Sequence, residues 1–174
     1  MSKQEWLVLL TVGFLLKVST ATVQILIPNS HITVTSNGTS WKDSKRSKNW
    51  TADKVKDGIV NNQGSADDCG CCAALLRPAW VQLTLNKTCI VEKIVVLGRA
   101  DEESTQLFNL TLSLGRHKKS LQDEALILQN RSYAMKVLAP PRELDAVRVS
   151  GGTGQNIDTY MTICEIMLYR QAAV

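Results

Sequence analysis

Histidine is almost missing from this 174-residue chain, which holds only His31 and His117. Neither has a cysteine or carboxylate partner at metal or triad spacing, so both read as surface loop residues and the usual zinc and Ser–His–Asp constellations are excluded. No G-x-S-x-G, H-E-x-x-H, P-loop or dinucleotide-glycine pattern occurs either. With no nucleophile–base pair and no metal–water set, an enzyme is the least favoured class. Sustained 3.6-residue periodicity, internal repeats, low-complexity tracts and linkers are also lacking. Charge is scarce as well: the formal net charge is +4, too small to imply nucleic acid as a partner.

No apolar run beyond residue 21 is long enough to span a bilayer, so no transmembrane segment is expected. The run before it is of another kind. Lys3 gives a positive start, Trp6–Leu16 is apolar and too short for a span, and Ser19-Thr20-Ala21 offers small residues for cleavage. Residues 1–21 therefore read as a secretory signal and residues 22–174 as one domain, secreted and extracellular. Without the signal the net charge falls to +3. Five N-x-S/T sequons, at Asn37, Asn49, Asn86, Asn109 and Asn130, suit a glycosylated surface outside the cell. The five cysteines (Cys69, Cys71, Cys72, Cys89, Cys164) would be oxidised there, and the odd number leaves one thiol free or paired with another chain.

What is present is alternation of period two. Val81, Leu83 and Leu85 alternate with Gln82 and Thr84, and Phe108, Leu110, Leu112 and Leu114 alternate with polar neighbours, as in half-buried strands. Asn109 falls on the polar side of the second. Ile90–Leu97 is apolar on both faces in its second half, as in a central strand. Ile32–Thr35, Ala125–Gln129, Ala134–Leu138, Ala146–Val149 and Tyr160–Tyr169 are further candidates, with Pro140-Pro141 and Gly151–Gly154 as loops between the last of them. Short strands without intervening helices predict an all-β fold, an antiparallel β-sandwich.

Thr51–Cys72 (TADKVKDGIVNNQGSADDCGCC) concentrates glycine, asparagine, carboxylates and three cysteines, which predicts a folded-back loop. Curled oxygen donors of this kind suit a hard cation, and the loop reads equally as a polar surface loop with a disulfide. Two basic stretches, Lys42–Lys48 and Arg116–Lys119, read as solvated loops or as surfaces for acidic glycans or lipid head groups.

Three ordered segments resemble the discoidin, or coagulation-factor type C, family, and within it the fucolectin group. They are Ala52–Gly58 with Asp68-Cys69; Trp80–Leu83 leading into Ile94–Asp101; and Arg148–Gly151 with Tyr160–Tyr169. The resemblance implies an eight-stranded jelly roll of the galactose-binding-like type, and a calcium ion as cofactor. Its ligands would be Asp57, Asp68 and Glu165 with the carbonyls of Lys54, Ile59 and Cys164, a mixture that calcium favours. Arg99 and Asp101 match half of the group's fucose pocket, with Arg99 donating to sugar hydroxyls. As residues alone they are equally an ion pair bracing their loop. A histidine position is Cys71 here and a second basic position is Gln106, so fucose itself should bind weakly or not at all. Cys69 is expected to pair with Cys164, and Cys89 with Cys71 or Cys72.

Two functions follow as expectations. The first is a secreted, calcium-stabilised, lectin-like module that binds a cell-surface or secreted glycan. The alternative is an adhesion or regulatory module whose partner is a protein or an anionic membrane surface.

Overall fold

A computed structural model describes residues 23–43, 48–60, 69–101, 106–117, 119–130, 132–155 and 157–172. The expected signal at residues 1–21 lies outside them. In chain order the strands are β1 (Gln24–Leu26), β2 (Ile32–Ser36), β3 (Lys42–Asp43), β4 (Lys48–Asn49), β5 (Ala73–Leu76) and β6 (Ala79–Leu97). They continue as β7 (Leu110–Gly115), β8 (Gln122–Glu124), β9 (Ile127–Asn130), β10 (Tyr133–Gly151), β11 (Tyr160–Ile163) and β12 (Glu165–Gln171). Every pairing between them is antiparallel.

Two long strands organise the rest. The first arm of β6 pairs with the last arm of β10, as in Val81↔Val149, and its second arm with the first arm of β10, as in Val96↔Ala134. Register shifts fall between Val137 and Arg142 and between Leu144 and Ala146, where bulges turn both strands through a corner. One layer is then β2, the first arm of β6, the last arm of β10, β7 and β8. The other is β1, β12, the remaining arms of β6 and β10, and β9. Alternate residues of both layers (Val81, Leu83, Leu112 from one, Ile94, Val96, Ile166 from the other) meet in one buried cluster. Each such side chain contributes about 1.5–3 kcal/mol through burial. The all-β antiparallel sandwich is therefore as the alternation predicts, and its jelly-roll layout is as the resemblance implies.

Some local expectations change. Pro140-Pro141 does not end a strand, because the bulge lets β10 carry two residues without N–H donors past the corner. Asn109 precedes β7 rather than lying on its polar face, and takes a left-handed φ of 54° that asparagine tolerates. The Thr51–Cys72 loop opens with a 3-10 turn, Ala52–Lys56, while residues 61–68 lie outside the described ones. Asn37, Asn49, Asn86 and Asn109 are exposed, as a glycan needs; Asn130 ends β9, and its side chain is outside the described ones. Among the described residues no helix is long and apolar enough to cross a membrane.

The cysteine pairing also differs. Cys164 bonds to Cys72, not Cys69, and Cys69 bonds to Cys71, which leaves Cys89 as the free thiol rather than a partner of Cys71 or Cys72. The cause is register. β5 and β11 pair with Ala73 opposite Ile163, so one residue further along the ladder sets Cys72 beside Cys164. The bridge still does what was expected of it, tying the loop to the last strand.

Candidate functional site

Glu165 opens β12 opposite Leu97, the last residue of β6. Its side chain is only 2 % exposed. One carboxylate oxygen accepts the Gly58 N–H at 3.0 Å, so the 3-10 turn and its Asp57-Gly58 corner are held against the strand. Gly58 has a φ of 79°, a conformation glycine adopts without strain. Burial raises the Glu165 acid to about 7; Asp57 pushes the same way by like charge, while hydrogen bonds from Gly58 and Asn29 act against the rise. Asp57 accepts the Ile59 N–H at 2.9 Å and lies 3.5 Å from the Lys54 ammonium. Lys56 pins the other side of the turn, donating to the carbonyls of Asn29 (3.2 Å) and Ile32 (2.7 Å).

The structure thus brings Asp57 and Glu165 together, with Lys54, Ile59 and Cys164 as their chain neighbours; Asp68 lies outside the described residues. A buried carboxylate, Glu165, beside a more exposed one of like charge, Asp57, fits a hard cation, which would relieve both the desolvation and the repulsion.

Two residues beyond Leu97 the chain reaches Arg99. Gly98 makes this possible, because a Cβ there would stand 2.7 Å from Leu107 Cγ, and the contact folds the 106–109 turn back onto β6. Arg99 Nε donates to both carboxylate oxygens of Asp101, at 2.8 and 3.1 Å, and a terminal nitrogen closes the fork. The expected ion pair is present, and Arg99 also lines a cavity of about 160 Å3 with Trp41, Trp50, Ala74, Gln106, Tyr160 and Thr162.

The small β5–β11 sheet builds one wall. Alternation sends Ala73, Leu75, Met161 and Ile163 to the core and leaves Ala74, Tyr160 and Thr162 to the cavity. Ala74 fixes the aromatic wall through its backbone: its carbonyl accepts from Trp41 N–H (2.8 Å) and its N–H donates to the Trp50 carbonyl (3.0 Å). The two indoles meet edge to face at 5.2 Å. Gln106 is held by buried Arg77, which donates to the Gln106 carbonyl at 2.6 Å and to the Gly152 carbonyl at 2.9 Å. Cys71 is buried and bonded to Cys69, so it offers the cavity no hydrogen-bonding group.

Sequence reasoning therefore found Arg99, Asp101 and the Gln106 position, and missed Trp41, Trp50, Tyr160, Thr162 and Arg77. Aromatics flanking a lysine-rich stretch were the available signal for the first two. Of the Arg116–Lys119 stretch, Arg116, His117 and Lys119 line another cavity, of about 420 Å3. There Arg116 is paired with Glu143 at 3.0 Å and His117 N–H donates to Asp145 at 2.6 Å, which does not favour an anion-binding surface.

No protein-family model matches the sequence, and no curated protein matches it. Solved structures do match in fold. A family 32 carbohydrate-binding module of C. perfringens NanJ, in complex with galactose, has a TM-score of 0.63 at 13% identity, covering 85% of this chain and 100% of that one. The lectin domain of lectinolysin, complexed with Lewis b antigen, gives 0.61 at 18% identity, with 80% and 93% covered. A fucolectin from striped bass (Morone saxatilis) serum gives 0.58 at 14% identity, with 81% of this chain and 47% of that one covered. At these identities the likeness is one of fold: the discoidin-type, galactose-binding-like jelly roll.

Proposed function

We propose that this chain is a secreted, non-catalytic carbohydrate-binding domain, beginning near residue 22, that takes a glycan terminus in the Arg99 cavity and is stabilised by calcium. The observation that carries the reading is the cavity itself, where a half-buried guanidinium held by Asp101 stands beside the aromatic rings of Trp41 and Tyr160. Sugars offer hydroxyls to a fixed guanidinium and apolar C–H faces to aromatic rings. The shared fold of a galactose-bound module and a Lewis b-bound lectin domain supports the same use here.

Calcium would be held by Asp57 and Glu165, with Asp68 and the carbonyls of Lys54, Ile59 and Cys164 completing the set. Its contribution is positive charge that fixes the turn against β12. The glycan would be one on a cell surface or a secreted protein, and the domain's own sequons would carry glycans.

The test is a glycan array probed with the wild type and Arg99→Ala in calcium. Loss of charge-assisted hydrogen bonds should weaken binding by about 1.5–3 kcal/mol, roughly 10- to 150-fold. If Arg99→Ala binds as the wild type does, the cavity is not the site.

A further inference from the structure

A larger cavity, of about 520 Å3, lies at the other end of β12. Its lining includes Arg170, Lys87 and His31, with Ile27, Ile90 and Cys89, and no aspartate or glutamate among the described residues. Arg170 follows Glu165 by five residues, about 17 Å along an extended strand. Alternation explains its place. Ile166 and Leu168 are fully buried in the core, and Arg170 is the next residue on that face of β12. Ile27, only 2 % exposed, belongs to the same core and also lines the cavity, so the cavity opens at the edge of the core.

The guanidinium placed there is not engaged elsewhere. Arg77, Arg99, Arg116, Arg142 and Arg148 each hold a carbonyl, a carboxylate or a side-chain amide. The side chains of Arg170 and Lys87 have no such partner among the described residues. Glu92 precedes Lys93, the partner of Tyr169, so register brings it toward Arg170. It does not line the cavity, however, its Oε1 has no hydrogen-bond partner, and no ion pair joins it to Arg170.

We propose that this cavity binds a small amphipathic anion, an apolar body that carries an oxyanion head. Arg170 and Lys87 meet the head, and the His31 imidazole offers it a donor in either protonation state. Ile27 and Ile90 meet the apolar body. Ile90 is 57 % exposed, a large apolar side chain that a ligand would take out of water. A neutral apolar molecule gains nothing from the cations, and a bare anion gains nothing from Ile90. The volume falls within the roughly 300–1,000 Å3 of clefts that enclose drug-sized molecules. This site does not rest on the carbohydrate reading, because no residue lining it also lines the Arg99 cavity.

The experiment titrates the protein with three probes: naphthalene-2-sulfonate, neutral 2-naphthylmethanol and inorganic sulfate. Cys89, the free thiol, lines the cavity and reports its occupancy through the rate of alkylation by iodoacetamide. Naphthalene-2-sulfonate should slow that alkylation saturably and bind about tenfold or more tightly than either other probe. Arg170→Gln should lose about tenfold for the sulfonate, the worth of one charge-assisted hydrogen bond, and leave the neutral probe unchanged. Lys87→Gln, at an exposed position, should lose a smaller factor and keeps the test open if Arg170→Gln does not fold. Any of four results would overturn the proposal: no saturable sulfonate binding, sulfonate binding that leaves the Cys89 rate unchanged, equal affinity for the neutral probe or for sulfate, or full affinity in the folded variants.

Discussion

The Asp57–Glu165 corner and the Arg99 cavity begin at the same strand end, since Glu165 pairs with Leu97 and Arg99 follows two residues later. They solve opposite electrostatic problems. In the corner two carboxylates repel each other; Asp57 is paired with Lys54, while Glu165 is buried without a cation partner among the described residues. In the cavity a cation and an anion cancel, and the pair stands among Trp41, Trp50 and Tyr160. On the proposed reading the difference divides two roles, a cation in the first place and a glycan terminus in the second. Family likeness alone would not separate the two demands, because it says nothing of which charges are already paired.

The largest effect should come from the element common to both. Cys72 lies beside the cavity wall of Trp50 and Ala74, and Cys164 immediately precedes Glu165. Their bridge spans a sequence separation of 92, for which the chain-entropy model gives about 4–5 kcal/mol. Cys72→Ala with Cys164→Ala should therefore lower the denaturation midpoint steeply and weaken the calcium response and glycan binding together. A double variant that loses one response and keeps the other would show that the two regions are not coupled through this bridge.

A smaller effect should separate them. Calcium at a hundredfold excess over its Kd should add about 2.7 kcal/mol, or roughly 5–10 °C in Tm. Glu165→Gln should abolish that rise. pH sharpens the contrast. The Glu165 acid is raised from an ordinary 4.5 to about 7 in the folded state, so in chelator the folded state holds the extra proton. Its contribution is then complete below about 4.5 and is lost as pH rises through about 7. Melting in chelator should fall over that window, calcium should flatten the decline, and Glu165→Gln should remove it. A decline of the same size in Glu165→Gln would assign it to other groups.

The layers of the sandwich were legible because Val81, Leu83 and Leu85, and Leu110, Leu112 and Leu114, alternate with polar residues. β5 was not. Ala73-Ala74-Leu75-Leu76 carries one alanine and one leucine on each face, so no polar alternation marks it as a strand. The disulfide partners were hidden for the same reason, since they follow from the β5–β11 register. The cavity wall was hidden because Trp41, Trp50 and Tyr160 are far apart in sequence and meet only through the Ala74 backbone and that small sheet. Arg99 and Asp101 were legible because the pair is local, a fork two residues long. Which of the two roles they serve, brace or binding group, depends on a cavity that only the folded chain encloses.

The most direct test of the binding claim is the amide and indole NMR spectrum of the 15N-labelled domain, residues 22–174, in calcium, titrated with galactose, glucose, N-acetylgalactosamine and fucose. Trp50 lines the cavity, and its indole N–H has no acceptor among the described residues, whereas Trp80 is not among the residues lining the cavity and its ring lies under Arg148 at 4.4 Å. The account predicts that at least one neutral sugar shifts the Trp50 indole resonance, with Trp41 following and Trp80 unmoved, and that fucose is among the weakest. Saturable binding that shifts Trp80 and leaves Trp50 in place would contradict it.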